Sequence, residues 1–238
     1  RFATAMKNIT DQAEMVAVGS RSVESAKAFA EKYGIPKAYG SYQEVADDPD
    51  VDIVYIGTPH PFHHRDTMMC LEAGKHVLCE KAFCMNAQEA EEMINKAREK
   101  NLFLMEAMWT RFFPIHGKIR EILAEGKLGE LQGLIIHHAY MGLEELGETY
   151  EPELGMGTFM DQAPYGMAFA YSVLGPPERT KIITTFGPKG INYQTSGVFE
   201  HEGGKLTTWM ASRTTFDVKE AVIVGSKGKI DLHALWYK

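Results

Sequence analysis

The chain has 238 residues, of which 45% are hydrophobic and 24% are charged, and its formal net charge is −7 at pH 7. This is the composition of an ordinary globular protein with one large domain or two smaller ones, so it excludes a disordered or fibrous chain. The acidic balance and the lack of a basic cluster argue against nucleic acid as a partner.

Cysteine usage and hydropathy predict a cytoplasmic protein. Cys70, Cys79 and Cys84 are an odd number of cysteines without CxxC spacing. This pattern disfavours a disulfide framework or a zinc ribbon and favours a reducing compartment. No apolar run approaches the roughly 20 residues that a membrane helix needs, so we expect no membrane association.

The first half of the chain alternates short apolar runs with helical stretches, which is the pattern of βαβ units around a parallel sheet. Strands are predicted at 15–18, 53–56, 77–79 and 102–105, and helices at 22–33, from 41, at 63–73 and at 87–100. Four such strands predict a Rossmann-type, doubly wound parallel sheet of the α/β class.

The pattern changes after Trp109 and predicts a second domain of the α+β type. Helices are predicted at 115–124 and 161–174 with a polar segment at 142–155, and strands at 131–138, 181–186, 196–200, 205–212, 220–224 and 229–232. Closely spaced strands with glycine-rich turns are typical of a largely antiparallel, open sheet. We therefore predict a dinucleotide-binding domain over 1–110 and a second domain over 111–238.

Both ends of the sequence predict that it is a piece of a longer protein. Residues 1–6 read as the middle of a helix without a cap, and the chain stops shortly after the strand at 229–232. We expect the first strand of the dinucleotide-binding domain, with its G-x-G-x-x-G loop, to precede Arg1. In the doubly wound order that strand lies between the strands at 15–18 and 53–56.

Three predicted loops place polar side chains beyond the carboxyl ends of the parallel strands. They carry Ser20-Arg21, Thr58-Pro59-His60 and Glu80-Lys81. Ligands of open α/β sheets bind at this edge, so we predict that the loops line one crevice and bind a cofactor. A single Glu-Lys pair is more often a solvated surface pair, but the convergence of three loops favours a role for Lys81 in proton chemistry.

Arg21 indicates which coenzyme the crevice binds. It follows the strand at 15–18, where enzymes specific for NAD usually place an acidic residue on the ribose 2′-hydroxyl. A guanidinium group at this place pairs with a 2′-phosphate instead. We therefore favour NADP, with a solvated Arg21 beside a helix start as the alternative.

His60, His63 and His64 are spaced closely enough to suggest metal ligands. His63 and His64 are adjacent on a predicted helix, so their side chains diverge and do not complete a zinc-type ligand set. We therefore predict no metal, and we interpret His60 and His63 as part of a hydrogen-bonding loop under a cofactor.

Asp161 and Tyr165 are the candidate polar pair of the second half. Their i, i+4 spacing on the predicted helix at 161–174 lets both side chains project from one face. A carboxylate and a phenol could then meet one substrate. The alternative is that Asp161 caps the helix and Tyr165 packs in the core.

Together these residues resemble the glucose-fructose oxidoreductase and inositol dehydrogenase (Gfo/Idh/MocA) family. Members carry a strand-end E-K-P motif and a later glycine-rich motif that ends in an aspartate and a histidine or tyrosine. The matching stretches are 35–42, 79–81, 102–107, 109–114 and 155–165. The likeness covers essentially the whole chain, and the run at 109–114 is its most specific part.

The resemblance implies a role for each candidate residue. The family's catalytic lysine falls on Lys81, its proton-transfer tyrosine falls on Tyr165, and Asp161 lies beside the substrate. Trp109 and Arg111 fall where members line the nicotinamide and substrate pocket. A nearby ammonium group eases the loss of a phenolic proton, which suits a lysine and a tyrosine that act together.

The resemblance also implies the reaction. It points to members that oxidise a hydroxyl of a cyclic trans-dihydrodiol, or of a sugar such as D-xylose, with NADP. It further implies that the second domain binds substrate and forms a homodimer through its sheet. The sequence departs from the family motifs at Ala82, Ala163 and Pro164, which leaves open a non-catalytic relative that binds nucleotide or protein partners.

Overall fold

The computed structural model describes residues 1–142, 152–187 and 190–233. Its internal contacts divide the chain into two compact units, Arg1–Ala107 and Met108–Lys238. The division lies close to residue 110, where the sequence predicts a domain boundary. Most of the polar segment predicted at 142–155 lies outside the described residues.

The first unit contains parallel strands and the helices that connect them. The strands are β1 (Ala17–Gly19), β2 (Lys37–Tyr39), β3 (Ile53–Ile56), β4 (His76–Cys79) and β5 (Leu104–Glu106), and the helices are α1 (Phe2–Met6), α2 (Val23–Tyr33), α3 (Tyr42–Asp47), α4 (His63–Glu72) and α5 (Ala87–Glu99). Strands β1 and β2 pair in one sheet, and β3, β4 and β5 follow one another in a second. This architecture confirms the Rossmann-type prediction.

The predicted count of four strands is wrong, because the described part of this unit has five. The missed strand, β2, has three residues and pairs with β1 in parallel. Its residues Lys37-Ala38-Tyr39 have no run of apolar side chains to mark it. Pairing with a neighbouring strand, rather than local pattern, makes this segment extended.

Capping residues fix where the helices of the first unit begin. The Ser22 hydroxyl accepts a hydrogen bond from the Ser25 amide at the start of α2, and α2 ends at Gly34, whose φ of 74° is left-handed. Ser41 and Asn86 cap α3 and α5 in the same way, by accepting from the amides of Glu44 and Glu89. Caps of this kind satisfy amide groups that lack a partner within the helix.

The core of the first unit joins the central sheet to its helices. Its buried members are Ala46, Ile56, Cys70, Leu71, Val77, Cys79 and Ala97. Burial raises the pKa of both Cys70 and Cys79 to about 12. These two thiols therefore stay neutral and pack as small apolar groups.

The second unit is built on a six-stranded sheet. The strands are β6 (Leu131–Ala139), β7 (Pro177–Phe186), β8 (Asn192–His201), β9 (Lys205–Ser212), β10 (Val218–Gly225) and β11 (Lys229–Leu232), and the helices are α6 (Pro114–Ala124), α7 (Thr158–Asp161) and α8 (Ala163–Leu174). The strand order is β11-β10-β6-β9-β8-β7, and only β6 and β9 pair in parallel. This confirms the prediction of a largely antiparallel sheet.

The prediction of one continuous helix over 161–174 is wrong. The chain forms α7 and α8 instead, with the interruption at Gln162. Pro164 has no amide hydrogen and so cannot donate to the carbonyl group of Met160, which removes a hydrogen bond that a continuous helix would need. Asp161 therefore ends one helix, and Tyr165 lies in the first turn of the next.

One face of the six-stranded sheet carries the core of the second unit. Ile136, Phe169, Trp209 and Ile223 are among its buried members, and Ile122 and Leu123 of α6 pack against them. Residues of the opposite face are more exposed. Among the described residues, no helix is long and apolar enough to cross a membrane.

Candidate functional site

In the first unit, His63 joins the loop after β3 to the loop after β4. Its ring is fully buried, with Nε2 2.6 Å from the carbonyl oxygen of Thr58 and Nδ1 2.7 Å from that of Ala82. Carbonyl oxygens only accept hydrogen bonds, so a ring nitrogen that carries a proton donates to the carbonyl oxygen that it contacts. His63 therefore ties the Thr58 loop to the peptide that follows Lys81.

The loop after β4 is further held through Glu80. The Tyr55 hydroxyl donates to Glu80 Oε1 at 2.5 Å, and the Lys81 amide donates to Glu80 Oε2 at 3.1 Å. Burial and the adjacent Glu80 carboxylate raise the pKa of Tyr55, so this phenol keeps its proton and donates. The Lys81–Ala82 peptide is cis. Lys81 itself is half-buried.

The Thr58 side chain is part of a buried polar cluster at the start of α4. Its hydroxyl donates to Asp66 Oδ2 at 2.9 Å, and Asp66 is 3% exposed. Pro59 is exposed and His60 is half-buried, with its ring 5.6 Å from that of His63. The structure thus brings together Thr58, His60, His63 and the Glu80-Lys81 pair, which belong to two of the three loops that the sequence predicts to line one crevice.

Ser20 and Arg21 lie after β1, in the two-stranded sheet rather than the three-stranded one. The Ser20 amide donates to the carbonyl oxygen of Tyr39 at 3.2 Å, which continues the pairing of β1 with β2. Arg21 is exposed and immediately precedes Ser22, the cap of α2. An exposed guanidinium at the carboxyl end of a parallel strand is available to an anionic ligand.

In the second unit, Tyr165 lies in a cluster of rings. Trp109 Nε1 donates to the Tyr165 hydroxyl at 3.4 Å, and the two ring centroids are 5.9 Å apart in an edge arrangement. Phe113 contacts the other side of Trp109, at 5.2 Å between centroids. Arg111, in the same short turn as Trp109, is exposed. The structure thus brings Trp109 and Tyr165 together.

Asp161 pairs with an arginine that the sequence did not suggest. Arg213 Nη2 lies 2.8 Å from Asp161 Oδ2, and the side chains are 7% and 32% exposed respectively. The guanidinium group also lies over the ring of Tyr140, 4.2 Å from its centroid. The capping alternative placed Asp161 at the start of the helix that carries Tyr165, but the N-cap residue of that helix, α8, is Gln162.

His138 is a second residue that sequence reasoning missed. It is 5% exposed, and its ring centroid is 5.5 Å from that of Tyr165. Burial is the main cause that lowers its pKa to about 4, while a hydrogen bond with the main chain of Gln162 opposes this shift. The imidazole is therefore neutral at pH 7.

Sheet pairing explains why His138 and Arg213 share this region. Strands β6 and β9 are parallel neighbours in which His138 pairs with Ala211 and Ala139 with Ser212. Their carboxyl ends meet at one edge of the sheet, where β6 ends beside His138 and β9 leads into Arg213. The sequence signal for His138 is its position at the end of an apolar strand, but this position alone does not show which strands become its neighbours.

Two family models match the chain. Residues 1–108 match the model of the GFO/IDH/MocA oxidoreductase family with an NAD-binding Rossmann fold. Residues 116–231 match the model of the GFO/IDH/MocA C-terminal domain. The two matched stretches correspond closely to the two units of the structure.

Curated relatives carry one shared name, trans-1,2-dihydrobenzene-1,2-diol dehydrogenase. The protein from Xenopus tropicalis is 37% identical over 92% of this chain and 67% of its own length. The protein from Mus musculus is 35% identical over 99% of this chain and 71% of its own length. The protein from Homo sapiens is 39% identical over 92% of this chain and 66% of its own length. The chain therefore spans about two thirds of the length of these relatives.

Solved structures share the fold at lower identity. The WlbA dehydrogenase from Chromobacterium violaceum, in complex with NADH and UDP-GlcNAcA, has a TM-score of 0.87 at 20% identity and covers 97% of this chain and 69% of its own. A levoglucosan dehydrogenase in complex with NADH and levoglucosan has a TM-score of 0.84 at 21% identity. The match covers 91% of this chain and 64% of the levoglucosan dehydrogenase chain. These likenesses bear on the fold alone.

Proposed function

This chain belongs to the Gfo/Idh/MocA oxidoreductase family, and we propose that its protein is an NADP-dependent dehydrogenase of CH–OH groups. The substrate is a cyclic trans-dihydrodiol or a sugar such as D-xylose. The observation that carries this proposal is the hydrogen bond from Trp109 to the hydroxyl of Tyr165, beside the Asp161–Arg213 pair. The name shared by relatives that are 35–39% identical supports the substrate class.

The donor groups of the first unit fit a phosphorylated dinucleotide. Arg21 is exposed after β1, and Lys81 is half-buried after β4. We propose that Ser20, Arg21, Thr58, Pro59, His60, His63, Glu80 and Lys81 of the first unit, with Trp109 and Arg111 of the second, bind NADP. Within this set, Glu80 and His63 act by holding the loops, because their side chains bond to protein groups.

The chain's own residues supply the proton chemistry. NADP held by these residues would supply the hydride acceptor of the reaction. Tyr165 takes the proton of the substrate hydroxyl, and Trp109 orients the phenol through its indole N–H. Lys81 serves the same proton transfer by favouring the ionised phenol. Asp161, fixed by Arg213, accepts a hydrogen bond from the substrate.

The test is NADPH formation by the full-length protein with trans-dihydrodiols and with D-xylose. Arg21→Ala should raise the KM for NADP about 10- to 100-fold more than the KM for NAD, the effect of losing a charge-assisted contact. Lys27→Ala, which removes an exposed cation of α2, is the matched control and should leave both constants unchanged. Equal effects of Arg21→Ala on both coenzymes would contradict the NADP assignment.

A second candidate is a non-catalytic relative that binds nucleotide or protein partners. Pro164 favours this candidate, because the helix is interrupted at Gln162. Asp161 and Tyr165 therefore lie on two helices and not on one face of a single helix. Saturable NADPH binding without turnover of any diol or sugar would support this candidate over the dehydrogenase.

We propose a homodimer that forms through the open face of the second-unit sheet. Ile135, Thr208 and Val198 form one row across β6, β9 and β8. Ile135 is 41% exposed, Val198 39% and Leu206 47%. We also propose a cytoplasmic location, because the described part of the chain has three free thiols.

A further inference from the structure

His138 contacts the segment that carries Tyr165 in two ways. Its ring lies 5.5 Å from the Tyr165 ring, centroid to centroid, at an interplanar angle of 50°. Its imidazole also forms a hydrogen bond with the main chain of Gln162, where the helical segment is interrupted. One side chain of β6 therefore contacts both the phenol and the backbone that precedes it.

The carbonyl group of Gln162 accepts a hydrogen bond that stabilises the first turn of α8. The Tyr165 amide donates to this oxygen at 3.3 Å, over three residues rather than the four of a regular helix. Pro164 has no amide hydrogen to contribute to this turn. A carbonyl oxygen has two lone pairs and can accept two hydrogen bonds. The imidazole N–H of His138 donates the second one to the Gln162 carbonyl group.

The imidazole is suited to a permanent donor role. Its burial keeps it neutral at pH 7, so it carries one N–H and one ring nitrogen without a proton. The charged groups that influence it are Asp161, Arg213 and Lys219. The hydrogen bond from this N–H to the Gln162 carbonyl group therefore persists when the pH changes near 7.

We propose that His138 is a positioning residue that holds the Tyr165 phenol in place for proton transfer. The inference rests on the proposed function, since it assigns the proton to Tyr165. His138 acts through the Gln162 carbonyl group and through the face of the phenol ring. A loss of this hydrogen bond lets the first turn of α8 shift, and a shift of about 1 Å costs about 100-fold in rate.

The test compares His138→Phe with His116→Phe in the full-length protein. His138→Phe keeps an aromatic ring and removes the N–H donor, so kcat should fall about 10- to 100-fold with an unchanged KM for NADP. His116 is the matched control, because it is 6% exposed and its ring lies 5.4 Å from that of Phe169, one turn further along α8. His116→Phe should leave kcat within about twofold.

Two amide variants separate positioning from packing. His138→Asn and His138→Gln each place an amide N–H near one of the two ring nitrogens, so one of them should recover most of the lost kcat. A loss that neither variant recovers, or an equal loss in His116→Phe, would assign the effect to packing and overturn the proposal. An unchanged kcat in His138→Phe would also overturn it.

A second readout keeps the inference separate from the proposed function. With ¹³C at the Tyr165 ring, His138→Phe should broaden the ring resonance, because the phenol is held less firmly, and His116→Phe should not. This result is independent of turnover, so it holds for a protein that oxidises no diol or sugar, in which case the proposed function alone fails. Unchanged Tyr165 resonances in both variants would overturn the positioning role.

Discussion

Tyr165 is the residue whose neighbours most constrain its chemistry. Trp109 donates to its hydroxyl, and the rings of Trp109 and His138 both contact its own ring. A phenol that is held in this way loses less freedom when it meets a substrate hydroxyl, which favours proton transfer. Lys81, in the first unit, is held by different means, because its amide bonds to Glu80.

We expect Lys81→Met and Tyr165→Phe each to lower kcat of the full-length protein by about two or more orders of magnitude. The double variant should be little worse than either single one, because both groups serve one proton transfer. Steady-state kinetics with NADP measure both effects. Tyr171→Phe, at a 55% exposed position of α8, is the matched control, and near-normal turnover in both single variants would contradict the assignment.

The buried His138 also predicts how stability depends on pH. Its pKa falls from 6.5 in an exposed state to about 4 in the folded protein, chiefly through burial. Between these two values the unfolded chain binds more protons than the folded one, so the free energy of unfolding decreases as the pH falls from 6.5 towards 4. This difference in pKa corresponds to about 3 kcal/mol.

Denaturant titrations between pH 4 and 7 test this dependence. His138→Phe should show a shallower loss of stability on acidification than the natural chain. Burial also lowers the pKa of His116, so part of the acid sensitivity should remain. The same slope in both proteins would show that His138 is not buried as the structure has it.

The sequence points to some of the residues in the region of Tyr165 and not to others. Trp109, Asp161 and Tyr165 were found because they fall in recognisable motifs. Arg213 is 52 residues from Asp161, and it comes close because α7, which ends at Asp161, packs against β8 and β9. Neither hydrophobic periodicity nor turn residues specify which strands become neighbours, so Arg213 and His138 could not be placed from the sequence.

At the scale of elements, local chemistry predicted most boundaries. The capped helices α2, α3 and α5 begin within one residue of their predicted starts. The error at 161–174 has a local cause as well, because Pro164 lacks the amide hydrogen that a continuous helix would need. The strand β2 was missed because its conformation depends on pairing with β1.

His63 tests whether the loops after β3 and β4 act as one element. His63→Leu removes the ring nitrogens that contact the carbonyl oxygens of Thr58 and Ala82, and the loss of a donor to one such group costs about 1 to 3 kcal/mol. We expect a free energy of unfolding lower by about 1 to 3 kcal/mol and a higher Kd for NADP. Chemical denaturation and NADPH fluorescence measure the two changes.

His64 gives the matched control for this prediction. It is the next residue on α4, half-exposed, and its Nε2 lies 2.8 Å from the exposed Glu92 carboxylate. Exposed pairs of this kind contribute about 1 kcal/mol or less, so His64→Leu should change both quantities little. Equal losses in the two variants would contradict the role given to His63.

At the scale of the whole molecule, the proposed homodimer forms through the open sheet face of the second unit. Its row of Ile135, Thr208 and Val198 presents two apolar side chains that are 41% and 39% exposed. In a two-fold dimer the same patch meets itself, so each substitution enters the interface twice. A buried carboxylate without a partner costs several kcal/mol, far more than the loss of an apolar contact.

We therefore expect the full-length protein to sediment as a dimer, and Ile135→Asp or Val198→Asp to convert it to monomer. Ile94→Asp is the matched control, because Ile94 of α5 is 38% exposed and lies outside the sheet of the second unit. Sedimentation equilibrium over a range of concentrations measures the change. A natural chain that sediments as a monomer would contradict the proposed interface. A dimer that survives both sheet substitutions would mean that subunits associate through another surface.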